Sequence, residues 1–348
     1  LHLLSRRQRQ MCIRDSSQAF TAYNTRIVAP PHGSMLPMSP VRKNILMVAC
    51  ALGLLIPVVI IFICENMNTR VRGRKDLESV TVPFIGEIPL FTRKKKGIFR
   101  KKPQEVRAIV VKEGSRDIIN EAFRVLRTNL EFMTGKDKAS NVIIVTSFNP
   151  GSGKSFLTMN IAVSFAIKGK KVLVIDGDLR HGSASSYIDS PTKGLSDYLG
   201  GRIDNLNEII VTNPKQKYLD ILPVGTIPPN PTELLFDDRL KQVIDTVREQ
   251  YEYVLIDCPP IELVADTQII EKLADRTIFV VRAGLLELSM LAELEKIYGE
   301  KKYKNMSLIL NGTEGSGGRY GYRYGYRYGY HYGYGSEYHY GSDEKYIE

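Results

Sequence analysis

The stretch Asn141-Val-Ile-Ile-Val-Thr-Ser-Phe-Asn-Pro-Gly-Ser-Gly-Lys-Ser155 constrains the fold of this chain more than any other segment. An apolar, β-branched run breaks at Pro150-Gly151, and a helical pattern follows from Lys154 to about Lys168. Strand, loop and helix in that order predict an α/β domain. Successive backbone N–H groups around Gly151 and Gly153 would face an anion at the helix N-terminus. Lys154 would reach the β- and γ-phosphates, and the Ser155 hydroxyl would ligate Mg²⁺. The candidate nucleotide-binding residues are therefore Pro150, Gly151, Ser152, Gly153, Lys154, Ser155 and Phe156. The match is incomplete, because G-x-x-x-x-G-K-[ST] asks for glycine where this chain has Phe148.

Two acidic strand ends point to the same chemistry. Lys171-Val-Leu-Val-Ile-Asp-Gly-Asp-Leu-Arg180 is a short apolar strand ending in Asp176 and Asp178, and Tyr253-Val-Leu-Ile-Asp-Cys-Pro-Pro260 is another ending in Asp257. Ligands of a parallel α/β sheet bind at the carboxyl ends of its strands. Carboxylates delivered there suit Mg²⁺, a hard cation that keeps several waters. Each aspartate alone could equally be a helix cap or a turn residue. The four cysteines show neither metal-ligand spacing nor a disulfide framework.

Eleven of the 19 tyrosines lie in the last 29 residues, in a run with glycine at every fourth position and no aliphatic residue before Ile347. Such a segment cannot bury enough surface to offset its ordering entropy, so a disordered tail is expected. Read alone it is a sticky low-complexity tail. Beside a phosphate-binding loop it reads as a row of phosphoryl acceptors: Tyr320, Tyr322, Tyr324, Tyr326, Tyr328, Tyr330, Tyr332, Tyr334, Tyr338 and Tyr340.

Ile45 to Cys64 is an uncharged run of 20 residues, long enough to cross a hydrocarbon core of ~30 Å. Pro57 within it is tolerated in such helices. Arg70, Arg72, Arg74 and Lys75 follow at once, and Arg93 to Lys96 and Arg100 to Lys102 come later, against Arg26, Arg42 and Lys43 before the run. The positive-inside bias puts residues 65–348 in the cytoplasm. This cluster accounts for much of the net charge of +10. No aromatic platform accompanies it, which argues against a nucleic-acid partner and for an anionic membrane surface.

Together these stretches resemble the cytoplasmic kinase region of bacterial protein-tyrosine kinases, membrane proteins that control capsular and extracellular polysaccharide export. The resemblance covers roughly residues 37–348. It rests on Thr146 to Ser155, Val174 to Arg180, Gly225-Thr-Ile-Pro-Pro-Asn-Pro-Thr-Glu-Leu-Leu235, Leu255 to Pro260 and the tyrosine tail. Partitioning and septum-positioning ATPases share the fold but have a lysine where Asn149 stands, and they lack the tail. The resemblance implies an ATP- and Mg²⁺-dependent tyrosine autokinase at the bacterial inner membrane. It further implies a polysaccharide export and polymerisation machinery, and a counteracting phosphatase, as partners. The catalytic set would be Lys154, Asp176, Asp178 and Asp257, with Ser155, Asp176 and Asp257 as candidate metal residues. Of Asp176 and Asp178, the former is favoured as the base for the phenol. Arg180 would stabilise charge, orient Asp178 or form a helix-start ion pair.

Residue by residue, the family's E-x-x-R-x-x-R stretch falls on Glu121, Arg124 and Arg127, where it implies subunit contacts in a ring-type homo-oligomer. Intrahelical pairing is the alternative on sequence alone. The expected order is a non-native, adapter-like segment (1–16), a Pro-rich remnant of a periplasmic domain (17–44), a transmembrane helix (45–64) and a basic juxtamembrane linker (65–115). A P-loop domain with a mostly parallel sheet flanked by helices (116–313) and the tail (314–348) follow. Within these, 80–90 is expected as an extended linker, 117–132 as a helix, 231–250 as a helix capped by Asn230, and 276–282 and 306–310 as strands. The chain reads as an N-terminally truncated fragment.

Overall fold

The computed structural model describes residues 42–91, 108–134, 141–214, 216–261 and 265–313. Two units are distinguished, 1–68 and 69–348. The first contains helix α1, Arg42–Asn66, with Pro57 inside it. Among the described residues this is the one helix long and apolar enough to cross a membrane, with a mean hydropathy of 3.0 over its apolar window, none of it buried. At ~1.5 Å per residue its 25 residues exceed a ~30 Å core.

The second unit is built on one eight-stranded sheet. Its strands are β1 (Phe84–Pro89), β2 (Val142–Thr146), β3 (Val172–Asp176), β4 (Val211–Thr212), β5 (Leu219–Leu222), β6 (Tyr253–Asp257), β7 (Arg276–Arg282) and β8 (Met306–Thr313). They lie in the order β1-β8-β7-β2-β6-β3-β5-β4, and only β4 runs antiparallel to its neighbour. Strands covered on both faces need apolar residues at every position rather than at every second one. Accordingly β2 and β3 are buried throughout. Alternate side chains then fill two cores. Val142, Ile144, Leu173 and Ile175 join one, while Ile143, Val145, Val172 and Val174 join the other.

Helices α2 (Ile118–Thr134) and α3 (Lys154–Ile167) cover the second core through Phe123, Leu126, Leu130, Leu157 and Ile161. The first core is closed by α4 (Leu195–Leu199), α5 (Pro231–Leu235), α6 (Asp238–Gln250), α7 (Asp266–Glu271) and α8 (Met290–Gly299). Three expectations change here. The segment 80–90, expected as a linker, contributes strand β1, paired in parallel with β8. The expected helix 231–250 is two helices. Asp237 takes extended backbone between them and its carboxylate accepts from Arg239 N at 2.8 Å, so a new helix starts there. Asn230 makes no side-chain cap; its Nδ2 donates to Glu233 Oε2 at 3.0 Å.

Candidate active site

The loop between β2 and α3 is shaped by its own hydroxyls and by two strands beyond it. Ser147 Oγ and Ser152 Oγ both donate to Asn149 O, at 2.8 and 2.7 Å. Gly151 and Gly153 adopt left-handed backbone, with φ of 74° and 87°. At Gly153 a Cβ would lie 2.2 Å from Asn311 Nδ2, so glycine is demanded by both backbone and space. Asn311, on β8, donates through that Nδ2 to Ser152 O at 2.8 Å. Arg282, the last residue of β7, donates to Gly151 O at 2.6 Å. A trans peptide points its N–H opposite to its C=O. Tying the carbonyls of Gly151 and Ser152 to β7 and β8 therefore turns the N–H groups of Ser152 and Gly153 the other way, as a phosphate cradle requires.

Phe148, which stands where the nucleotide pattern has glycine, is buried and packs edge-on against Phe279 of β7, ring centroids 4.9 Å apart. The departure from the pattern is a core contact. Phe156 turns its ring toward α2, edge-on to Phe123 at 6.1 Å. Only its backbone is left to the loop.

Register places the acids. Asp176 pairs with Asp257 across β3 and β6, and Asp257 with Val145 across β6 and β2, so Asp257 ends the strand next to the loop strand and Asp176 the strand beyond it. Gly177 N donates to Asp257 O at 2.9 Å, an approach so close that a Cβ on Gly177 would sit 3.1 Å from that carbonyl. Both aspartates are buried. Asp176 Oδ2 accepts from Ser185 N and Oγ, each at 2.6 Å. Its Oδ1 and both oxygens of Asp257 are buried without a hydrogen-bond partner.

Buried acceptors left in this state are costly and call for a ligand. Burial, then the Asp257 charge, raises the pKa of Asp176. Burial also raises that of Asp257, while the nearby Lys154 ammonium and Ser155 hydroxyl pull it back. Among the described residues no three acidic, histidine or cysteine side chains form a metal cage. A hydroxyl with one or two carboxylates, the remaining positions going to water and phosphate, is instead the donor set that suits Mg²⁺.

Asp178 is nearly buried and uses Oδ1 locally, accepting from the N–H groups of Arg180 and His181, each at 3.2 Å. Arg180 turns to a buried acid: its Nε meets Asp266 Oδ2 at 3.1 Å, and a terminal nitrogen donates to Thr232 Oγ1 at 3.0 Å. Of the two functions expected for Arg180 besides an ion pair, neither is needed to explain this geometry. Glu121 and Arg124 form an ion pair within α2, and Arg124 also reaches Ser115 O at 2.6 Å. Arg127 leaves that face and donates to Ser164 O on α3 at 2.8 Å. Tyr320 to Tyr340 lie outside the described residues, as do Arg93 to Lys102 and residues 1–41.

Three contributors were not evident from sequence: Ser185, Arg282 and Asn311. The latter two stand at the carboxyl ends of strands, the one signal that could have drawn attention to them.

Residues 140–308 match the model of the AAA domain family, a span that contains the loop and all three aspartates. The chain is 35% identical over 209 residues to the tyrosine-protein kinase YwqD of Bacillus subtilis, covering 87% of that protein and 60% of this one. It is 33% identical over 306 residues to the putative tyrosine-protein kinase AmsA of Erwinia amylovora, covering 85% of this chain but 41% of AmsA. This chain thus spans about two fifths of the length of relatives of the AmsA type. The kinase domain of the Escherichia coli tyrosine kinase ETK superposes with a TM-score of 0.61 at 29% identity, over 76% of this chain and all of that domain. On these matches, with the loop and acids placed as described, the chain belongs to the bacterial protein-tyrosine kinases.

Proposed function

We propose that this chain transfers the γ-phosphoryl group of Mg-ATP to tyrosines of its own C-terminal tail. The observation that supports this best is the pair Asp176 and Asp257, buried side by side with three unpartnered oxygens next to a loop whose amides are turned inward. Phosphoryl transfer needs positioning and charge compensation more than covalent chemistry. Mg²⁺, when bound, would offset the negative charge of the phosphates. Ser155 and Asp257 would hold it, with Asp176 adjoining. Lys154 and the loop amides compensate the phosphates.

A phenol of pKa ~10 is a poor nucleophile near neutrality and must lose its proton as it attacks. Asp176 is the assigned acceptor: Ser185 fixes its Oδ2 and leaves Oδ1 available. Asp178 shapes the turn that follows. The ten tail tyrosines are the acceptors, and the arginines interleaved with them draw the unmodified tail to this acidic site.

Self-association in a ring through Glu121 and Arg124 fits their partial exposure. Arg127, bonded to α3, would act by bracing that helix. Helix α1 would anchor the chain in the inner membrane with Arg70 to Lys75 on the cytoplasmic side. Polysaccharide export and polymerisation components and a phosphatase are the partners this implies. The test is tyrosine phosphorylation of the purified chain with and without Mg-ATP. Hydrolysis without phosphotyrosine would instead favour an ATPase switch, and an effect on polymer length that survives loss of phosphorylation would favour a purely regulatory nucleotide site.

A further inference from the structure

At the opposite pole of the sheet, the amino ends of β7 and β8 border a cavity of about 620 Å³. Arg276, Lys301 and Lys304 supply its cations, and Tyr298, Pro83 and Met133 an apolar and aromatic wall. The Nε of Arg276 is buried with no hydrogen-bond partner. Nearby acids are engaged elsewhere. Asp275 Oδ2 accepts from Arg248 at 2.6 Å and from Val142 N at 2.9 Å. Glu300 pairs with Lys302 at 2.7 Å, and Glu271 accepts from Lys304 N at 2.9 Å. Burial lowers the pKa of Arg276, and the neighbouring Asp275 charge opposes that shift.

The loop that brings the lysines is itself unusual. Lys301 and Asn305 hold φ of 51° and 42°, left-handed backbone that asparagine tolerates and lysine seldom adopts. Strain of that kind persists where surrounding structure enforces it. Here Lys304 Nζ ties the loop to Lys272 O at 2.7 Å and Ala274 O at 3.1 Å, and Asn305 Nδ2 ties it to Asp275 O at 2.9 Å. With Lys304 so engaged, Arg276 and the exposed Lys301 are the two cations left for a ligand.

We propose that this cavity binds a phosphotyrosyl group on residues 319–340 of this chain. Two cations match a phosphate dianion, an Arg among them donating two bonds at once, and the wall of Tyr298, Pro83 and Met133 suits the ring that a phosphoserine lacks. Reach allows it. The tail begins after Thr313 at one end of β8, and the cavity lies at the other end, eight residues or roughly 26 Å away. Tyr326, 13 residues past Thr313, can span roughly 40 Å. Binding there would hold a phosphorylated tail away from the acidic nucleotide site. The proposal rests on the autokinase reading for the origin of the phosphate, but its test does not.

The full chain, with Mg-ADP saturating the nucleotide site, is titrated against a fluorescein-labelled peptide of residues 319–333 bearing phosphotyrosine at position 326, read by anisotropy. Binding at least ten-fold tighter than that of the unphosphorylated peptide is expected. Arg276→Gln should weaken it about ten-fold. Lys301→Asn, which keeps a residue suited to the left-handed backbone and leaves the fold intact, should weaken it about five-fold. Phosphopeptide affinity unchanged in Lys301→Asn overturns the proposal, as does equal affinity for the same peptide with phosphoserine. If the substitutions instead weaken binding to phosphatidylserine vesicles and spare the phosphopeptide, the site is a membrane contact and the proposal fails. Absence of autophosphorylation in the unmodified chain would overturn the kinase reading and leave this result standing.

Discussion

The carboxyl and amino ends of this sheet share the same buried strands but differ in what their loops leave unpaired. At the carboxyl ends the orphans are acceptors, Asp176 Oδ1 and both oxygens of Asp257; at the amino end they are the donor Arg276 Nε and the hydroxyls of Thr277 and Tyr303. Unpaired buried acceptors call for a cation or a donor, and an unpaired buried donor calls for an anion. The loops are also held differently. The nucleotide loop depends on long-range bonds from β7 and β8, whereas the 300–305 loop is held by its own side chains on the adjoining 272–275 turn. One end is built to keep a fixed row of amides, the other to project two cations.

The largest expected effect is on the carboxyl end. Lys154→Met removes the ammonium beside Asp257 and should lower autophosphorylation by more than ~10³-fold, equivalent to over ~4 kcal/mol of transition-state stabilisation. Thermal unfolding should stay close to that of the parent. Measured on protein from a host without other tyrosine kinases, full phosphorylation of this variant would remove the carboxyl end from the chemistry. Phe148→Gly comes next. It restores the pattern glycine yet deletes a buried ring packed on Phe279, so a loss of ~3–5 kcal/mol of stability is expected. Denaturant unfolding checks it, and a neutral result would show that Phe148 is dispensable to the core.

Much of this was legible beforehand, and the failures have physical causes. Strands β2, β3 and β6 are unbroken apolar runs, and the loop and its acids are local patterns, so both could be read directly. In sequence, β1 reads as a linker because Pro83 and Pro89 lack N–H donors. An edge strand with one partner tolerates that. The break at Asp237 depends on a single cap competing with a continuous helical pattern. Asn311 and Arg282 act on carbonyls more than 130 residues away in sequence. No periodicity or spacing encodes such a contact; only the strand order, which sets β7 beside β2 and β8 next to β7, creates it.

Gly153→Ala tests the fit between loop and β8. The added methyl meets Asn311 Nδ2 and a φ of 87°, at a cost of roughly 1–3 kcal/mol. Adding Asn311→Ala should recover part of that loss if the collision contributes, and none if the backbone alone is responsible, a distinction that a double-mutant cycle on thermal unfolding resolves.

Asn311→Ala alone gives the smallest effect and the sharpest test of how the two ends differ. One neutral hydrogen bond is removed, so stability should fall by only ~1 kcal/mol. Its consequence for ATP should be selective. Without Asn311 the Ser152–Gly153 peptide can rotate, and the Gly153 N–H no longer starts in the orientation a phosphate needs. Binding must then supply that ordering, and KM for ATP should rise about five-fold while kcat changes little. Asn311→Asp, which cannot donate and sets a carboxylate against Ser152 O, should raise KM further. Phosphotyrosyl-peptide binding at the amino end should be untouched in both variants. A KM that does not move would mean the loop orients itself, and that β8 contributes only packing to the carboxyl end.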